Sequence, residues 1–202
     1  MKLFYKPGAC SLASHIILRE ISATFSLDEV DTTTGQTKSG LDYSIINPKG
    51  YVPALQLETG EVLTEGVSIL QFIADRNHGN QLAPAQGSVS RARLQEYLNY
   101  TSSELHKAFG PLFSDSATEA QKSDARKNVA KKIDYFSTLL EDGKEYLVDN
   151  KFSVADSYAF VVLNWANFTG IDLGDWPSVL SYVARIGARP SVKEALQAEG
   201  LV

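Results

Sequence analysis

The sequence predicts an α/β domain over residues 1–80 followed by an all-helical domain over residues 87–202. Three observations predict this. Strand and helix patterns alternate through the first segment, and strand patterns vanish from Ser88 onward. Between them, Asn77 to Gly87 is polar and broken by Gly and Pro, the composition of a linker. With 44% hydrophobic residues, including nine Phe, nine Tyr and two Trp, the 202-residue chain can fill packed cores.

Lys2-Leu3-Phe4-Tyr5 reads as the first strand. Lys6-Pro7-Gly8-Ala9 turns the chain into a helix beginning near Ser11, with Leu12 to Ile21 as its apolar body. Phe25 to Val30 reads as a second strand, and an irregular stretch rich in Thr, Gly and Ser follows. Ala54 to Leu57 and Glu61 to Leu63 flank Glu58-Thr59-Gly60 as a tight hairpin, and a helix from Glu65 to about Arg76 completes the segment. A β-α-β crossover joins parallel strands and a hairpin joins antiparallel ones, so this order requires a mixed four-stranded sheet with helices. The pattern resembles a thioredoxin-like domain.

In the second segment, Leu94, Leu98, Thr101 and Leu105 recur at spacings of three and four. Val129, Ile133, Phe136 and Leu140 do the same in a further helix, for which Gly143 is the expected stop. Ser153 and Asp156 have the spacing of a capping box ahead of the apolar run Tyr158 to Leu163, and Phe152 precedes them as a hydrophobic staple. That reading makes Asp156 structural. No period of roughly 20–50 residues repeats, which excludes a solenoid.

A net charge of −5 with dispersed acidic groups excludes the basic stripe of a general nucleic-acid binder. No run of about 18 apolar residues predicts a spanning helix, and Met1 to Tyr5 enters a strand pattern without a signal-peptide core. The single cysteine forms no internal disulfide, so the expected compartment is the reducing cytoplasm.

That cysteine, Cys10, falls where the first strand gives way to a helix N-terminus. Unpaired N–H groups and the helix dipole there lower a thiol's pKa from about 8.5 and also hold an anion or another molecule's thiolate. Tyr51-Val52-Pro53-Ala54 introduces the third strand, where Pro53 belongs at the first or edge position; a cis Val52–Pro53 bond would turn the Val52 N–H and C=O outward to pair with a peptide. At the next strand-to-helix junction, Glu65 suits an ammonium and the Gly66 N–H a carboxylate, together the zwitterionic end of an amino acid. His106 is suited to steady a thiolate or move its proton near neutral pH. His15 reads as packing and His78 as linker. Three dispersed histidines and one cysteine predict no metal site.

Met1 to Ser11, Asn47 to Leu55, Leu63-Thr64-Glu65-Gly66, Glu104-Leu105-His106 and Phe152 to Asp156 stand in the order and spacing of the bacterial beta-class glutathione S-transferases, which the whole chain resembles. The resemblance implies a thioredoxin-like N-terminal domain, a helical C-terminal domain and a homodimer. It implies transfer of the glutathione thiolate to small hydrophobic electrophiles, with glutathione as co-substrate and no further cofactor. Cys10 and His106 then stand at the glutathione sulfur. Ser11 adds a donor beside Cys10, Tyr51, Val52 and Pro53 provide backbone pairing, and Glu65 and Gly66 clamp the γ-glutamyl group. Asn99, Ser103 and Glu104 match positions on the first long helix of the second domain, some of which reach the glutathione held by the other subunit; Asn99, Ser103 and His106 lie at four- and three-residue steps and so share a helix face. One departure is Gly35, where the family commonly carries a lysine for the glycyl carboxylate; Lys38 is the nearest substitute. Two alternatives stay open: thiol-disulfide or peroxide chemistry through Cys10, and non-catalytic binding of hydrophobic ligands.

Overall fold

The computed structural model describes residues 1–77, 79 and 81–202. The expected linker, Asn77 to Gly87, contains His78 and Asn80, which lie outside the described residues. In chain order the elements are β1 (Lys2–Tyr5), α1 (Ser11–Glu20), β2 (Ser26–Asp31), β3 (Gln36–Thr37), α2 (Tyr43–Ile46), β4 (Ala54–Gln56), β5 (Val62–Thr64) and α3 (Gly66–Arg76). There follow α4 (Val89–Tyr100), a π-helical turn (Thr101–Leu105), α5 (His106–Phe109), a 3₁₀ turn (Gly110–Phe113), α6 (Glu119–Thr138), α7 (Val154–Asn164), α8 (Ala166–Thr169), a second 3₁₀ turn (Leu173–Asp175), α9 (Pro177–Gly187) and α10 (Pro190–Ala198). By packing they form two compact units, residues 1–83 with 188–202, and residues 84–187.

The first unit is a thioredoxin-like sheet in the order β3-β2-β1-β4-β5. β1 runs parallel to β2 and antiparallel to β4, with Leu3 opposite both Leu27 and Leu55, and β4 pairs antiparallel with β5. Leu3 and Phe4 point to opposite faces of this central strand, yet both are fully buried. A strand covered on both faces reads as a continuous apolar run, which is why Leu3-Phe4-Tyr5 does not alternate. The sheet has five strands, not the expected four. Its extra member, β3, pairs only two residues with Val30 and Asp31, too few and too polar for an alternating pattern.

Residues 188–202 belong to this unit by packing, although sequence continuity groups them with the helices before them. α10 packs along α1. The Glu20 carboxylate at the end of α1 accepts from Arg189 and from the Ser191 hydroxyl, and the Glu199 carboxylate accepts from His15 Nδ1 at 2.8 Å.

The second unit is helical. Leu94, Leu98, Thr101 and Leu105 are buried together with Val129, Ile133, Phe136 and Leu140, as their spacing predicts. α6 ends at Thr138, short of Gly143; the chain continues through turns until Gly143 adopts φ +69°. Asp156, fully buried, accepts from the Ser153 and Leu147 N–H groups at 2.8 and 2.9 Å and from the Ser153 and Tyr182 hydroxyls at 2.7 and 2.8 Å. It therefore ties the start of α7 to α9 and to the segment before the helix. Burial pushes its pKa up, against the pull of these hydrogen bonds. The Phe152 ring packs edge-on against Tyr146 at 6.0 Å. Among the described residues no helix is long and apolar enough to cross a membrane.

Candidate functional site

In the first unit the site is built at the C-terminal end of β1. Gly8 takes φ +70°, a conformation glycine adopts without Cβ strain, and the Ala9 N–H closes the turn on Lys6 O at 3.1 Å. The Ser11 hydroxyl accepts from Lys6 N and donates to Lys6 O, each at 3.2 Å, and Ser11 is fully buried. Its hydroxyl therefore closes the 6–11 loop, a different task from the one expected of it beside a bound thiolate. Cys10 occupies the N-cap of α1, half-buried, with Sγ 3.3 Å from the Val52 carbonyl. The thiol donates to the same backbone edge that the sequence marks for peptide pairing.

That edge is held from beneath. The Tyr51 carbonyl accepts from the Tyr43 hydroxyl at 2.8 Å and from Asn47 Nδ2 at 2.6 Å, while the Tyr51 side chain is exposed. Burial of Tyr43 pushes its hydroxyl up to about 12, so it remains a donor at any physiological pH. The Val52–Pro53 bond is cis. Sequence reasoning passed over Tyr43 and Asn47; the only signal was a Tyr and an Asn at four-residue spacing before Pro48.

Glu65 adopts φ +67° and ψ +110° at the N-cap of α3, an unusual backbone for a residue with a side chain. Such outliers cluster at ligand sites, where surrounding structure holds them. The Glu65 carboxylate is exposed and pairs with Lys49 Nζ, which also donates to Thr64 Oγ1 at 2.9 Å. Gly66 begins α3, and a Cβ there would stand 3.7 Å from Pro53 Cγ, an ordinary contact. Gly35 has φ +70° in the turn after β2, bonded through its N–H to Asp31 O and through its carbonyl to Tyr43 N, each at 2.8 Å. A lysine there would be strained. Lys38 instead lies 3.6 Å from the Glu29 carboxylate.

In the second unit, the π turn departs from the regular helix on which the shared face of residues 99, 103 and 106 was argued. The His106 N–H bonds Thr101 O, five residues back. One extra residue enters the turn, so α-helical spacing no longer relates Asn99 to His106. Asn99 is exposed and its carbonyl accepts from the Ser103 hydroxyl at 2.9 Å; Glu104, also exposed, pairs with Lys132. His106 is mostly buried. Its Nδ1 is 2.8 Å from the Tyr158 hydroxyl, and its ring stands edge-on to Trp165 at 4.8 Å and to Tyr158 at 6.1 Å. Phe109 and Phe113 extend this aromatic cluster over Trp165. Burial, helped by the Lys107 charge, lowers the His106 pKa to about 4. At neutral pH the imidazole is uncharged, a hydrogen-bond donor or acceptor and not a cation.

Comparison with known proteins gives the family. Residues 8–76 match the glutathione S-transferase N-terminal domain and residues 100–190 the glutathione S-transferase C-terminal domain. The glutathione S-transferase GstA of Escherichia coli O157:H7 is 45% identical over 201 residues, covering all of both chains. The chain belongs to the glutathione S-transferase family. Like other members of the family it is an enzyme, a transferase that uses glutathione. The bacterial beta-class glutathione S-transferase of Sphingomonas chungbukensis is 46% identical with a TM-score of 0.97, each chain fully covered. A sphingomonad glutathione S-transferase solved in complex with glutathione is 45% identical with a TM-score of 0.95, again over the full length of both chains.

Proposed function

We propose that this glutathione S-transferase joins the glutathione thiolate to small hydrophobic electrophiles, working as a homodimer in the cytoplasm. The observation that carries the site assignment is the Cys10 Sγ to Val52 carbonyl distance of 3.3 Å, which puts a helix N-terminus and a peptide-pairing edge side by side. Glutathione laid along this edge pairs its cysteinyl backbone with Val52 between Tyr51 and Pro53. Its γ-glutamyl ammonium meets the Glu65 carboxylate and its α-carboxylate the Gly66 N–H. Lys49, already paired with Glu65, shares that carboxylate with the incoming ammonium.

The glutathione sulfur then lies at the start of α1, where N–H groups and the Cys10 S–H stabilise its anion. His106, assigned to the same sulfur, is neutral and contributes an N–H donor. The thiol proton leaves to solvent as the thiolate forms. The thiolate attacks the electrophilic carbon, the new C–S bond forms, and the leaving group departs with the displaced electron pair. In the homodimer Asn99, Ser103 or Glu104 of one protomer approaches the glutathione site of its partner. The test is initial-rate conjugation of glutathione to a chloronitroarene beside the ultraviolet titration of bound thiolate. A bound thiol that ionises at the pH of free glutathione, with no conjugation, refutes the reading.

Cys10 also supports a second reading. As the only cysteine, it can form a mixed disulfide: its thiolate attacks oxidised glutathione and expels one glutathione thiolate, which a further glutathione reverses.

A further inference from the structure

We infer that the Tyr158 hydroxyl is a positioning group that fixes neutral His106 in the tautomer carrying its hydrogen on Nε2. The inference rests on the proposal that His106 serves the glutathione sulfur, and it states in which form the imidazole does so. Tyr158 lies on the first turns of α7, just after the Asp156 hub, and is 5% exposed. Its oxygen stands 2.8 Å from His106 Nδ1, with the two ring planes at 84°. Trp165 packs edge-on against the same imidazole at 4.8 Å and 75°, so aromatic edges restrain the ring's tilt. With the ring held in this way, the open question at Nδ1 is which partner owns the shared hydrogen.

Two arrangements fit the distance. Either Tyr158 donates to Nδ1 and the imidazole hydrogen resides on Nε2, or Nδ1–H donates to the phenol oxygen and Nε2 is bare. The chemistry of the two groups selects the first. A phenol O–H is far more acidic than a neutral imidazole N–H, and an sp² imidazole nitrogen is a far better acceptor than a phenol oxygen. Nε2–H is then a donor, the form in which the imidazole can serve the thiolate proposed for it; a bare Nε2 could only accept. Burial of the ring, helped by the nearby Lys107 ammonium, opposes a second proton, so the choice is between neutral forms.

Nitrogen-15 NMR of the imidazoles tests this without any assay of activity. The chain has three histidines, and His106→Gln assigns the one in question. At pH 7 the wild-type His106 is expected to give the Nε2-protonated pattern with an acceptor Nδ1. Tyr158→Phe keeps the ring and removes the hydroxyl, and should give a mixed pattern. An Nδ1-protonated wild type, or a pattern unmoved by Tyr158→Phe, overturns the inference. Tyr158→Phe should also lower kcat about 3- to 10-fold in the wild-type background and cause no further loss in His106→Gln. If the tautomer responds while conjugation does not change in either background, the tautomer assignment stands and the placement of His106 at the sulfur falls.

Discussion

The Glu199 carboxylate, near the C-terminus, accepts the Gly8 N–H at 2.9 Å and so reaches the loop that carries Cys10. Its other oxygen accepts from His15 Nδ1 at 2.8 Å, and His15 Nε2 in turn lies 3.3 Å from Arg19 Nε. A guanidinium only donates, so Nε2 accepts and Nδ1 carries the hydrogen. The chain of donors runs Arg19 to His15 to Glu199, with Gly8 as the second donor to the carboxylate.

Glu199→Gln breaks this order. An amide offers one acceptor and one donor where two donors converge, so one bond must fail whichever way the amide turns. A loss of about 1–3 kcal/mol is expected, the cost of a buried polar group left unmatched. Urea unfolding measures it. Because Gly8 is two residues from Cys10, the rate of Cys10 alkylation in the native state should change as well. A stability change below about 0.5 kcal/mol would show that the carboxylate is not needed there.

Glu65→Gln should raise KM for glutathione several-fold at nearly unchanged kcat. The carboxylate is assigned to an ammonium remote from the reacting sulfur, so its loss weakens ground and transition states alike. Glu65→Gly should weaken binding further. It should also stabilise the protein by up to about 1 kcal/mol, because glycine accepts φ +67° without the Cβ penalty. Steady-state kinetics and thermal melting on the two variants check both halves; a fall in kcat at constant KM would remove Glu65 from the clamp.

Cys10→Ala should retain measurable conjugation, since backbone donors at the start of α1 and the neutral His106 share the work of stabilising one thiolate. Glutathione adduct formation must vanish in the same variant, because no other cysteine exists. Mass spectrometry after exposure to oxidised glutathione, read beside conjugation rates, separates the two activities. Complete loss of conjugation would make Cys10 an indispensable catalyst.

Much of this was legible in the sequence because local chemistry announces it. Ser153 and Asp156 cap a helix through residues three apart, and Leu3-Phe4-Tyr5 is apolar enough to be a central strand whatever lies elsewhere. Glu199 and Tyr158 were illegible for the opposite reason. Each acts across a long sequence separation, and neither a Glu near a chain end nor a Tyr in an apolar run carries any mark of its partner. Periodicity also assumed a uniform helix, so the π turn at Thr101–Leu105 went unforeseen, and the face that spacing alone gave Asn99, Ser103 and His106 no longer follows. Ser11 stood at the right place for a ligand donor, but only the fold reveals that its hydroxyl closes the loop on Lys6.

His106 should make the folded state acid-sensitive. Its pKa falls from about 6.5 in the unfolded chain to about 4 in the folded one, so between those values the unfolded chain binds more protons. The stability this residue contributes is therefore fully present above about pH 6.5 and is lost as pH falls through 4. With residual exposure discounted, the loss is about 2 kcal/mol. Asp156 acts oppositely: its raised folded pKa favours folding at lower pH and partly offsets the effect in the wild type. The two separate by difference. His106→Gln cannot titrate there, so urea unfolding at pH 7 and pH 4.5 should show the wild type losing more stability than the variant, with the gap opening below pH 6.5. Equal losses in both proteins would mean that His106 is as free to accept a proton in the folded state as in the unfolded chain, and the neutral-donor role assigned to it would lose its basis.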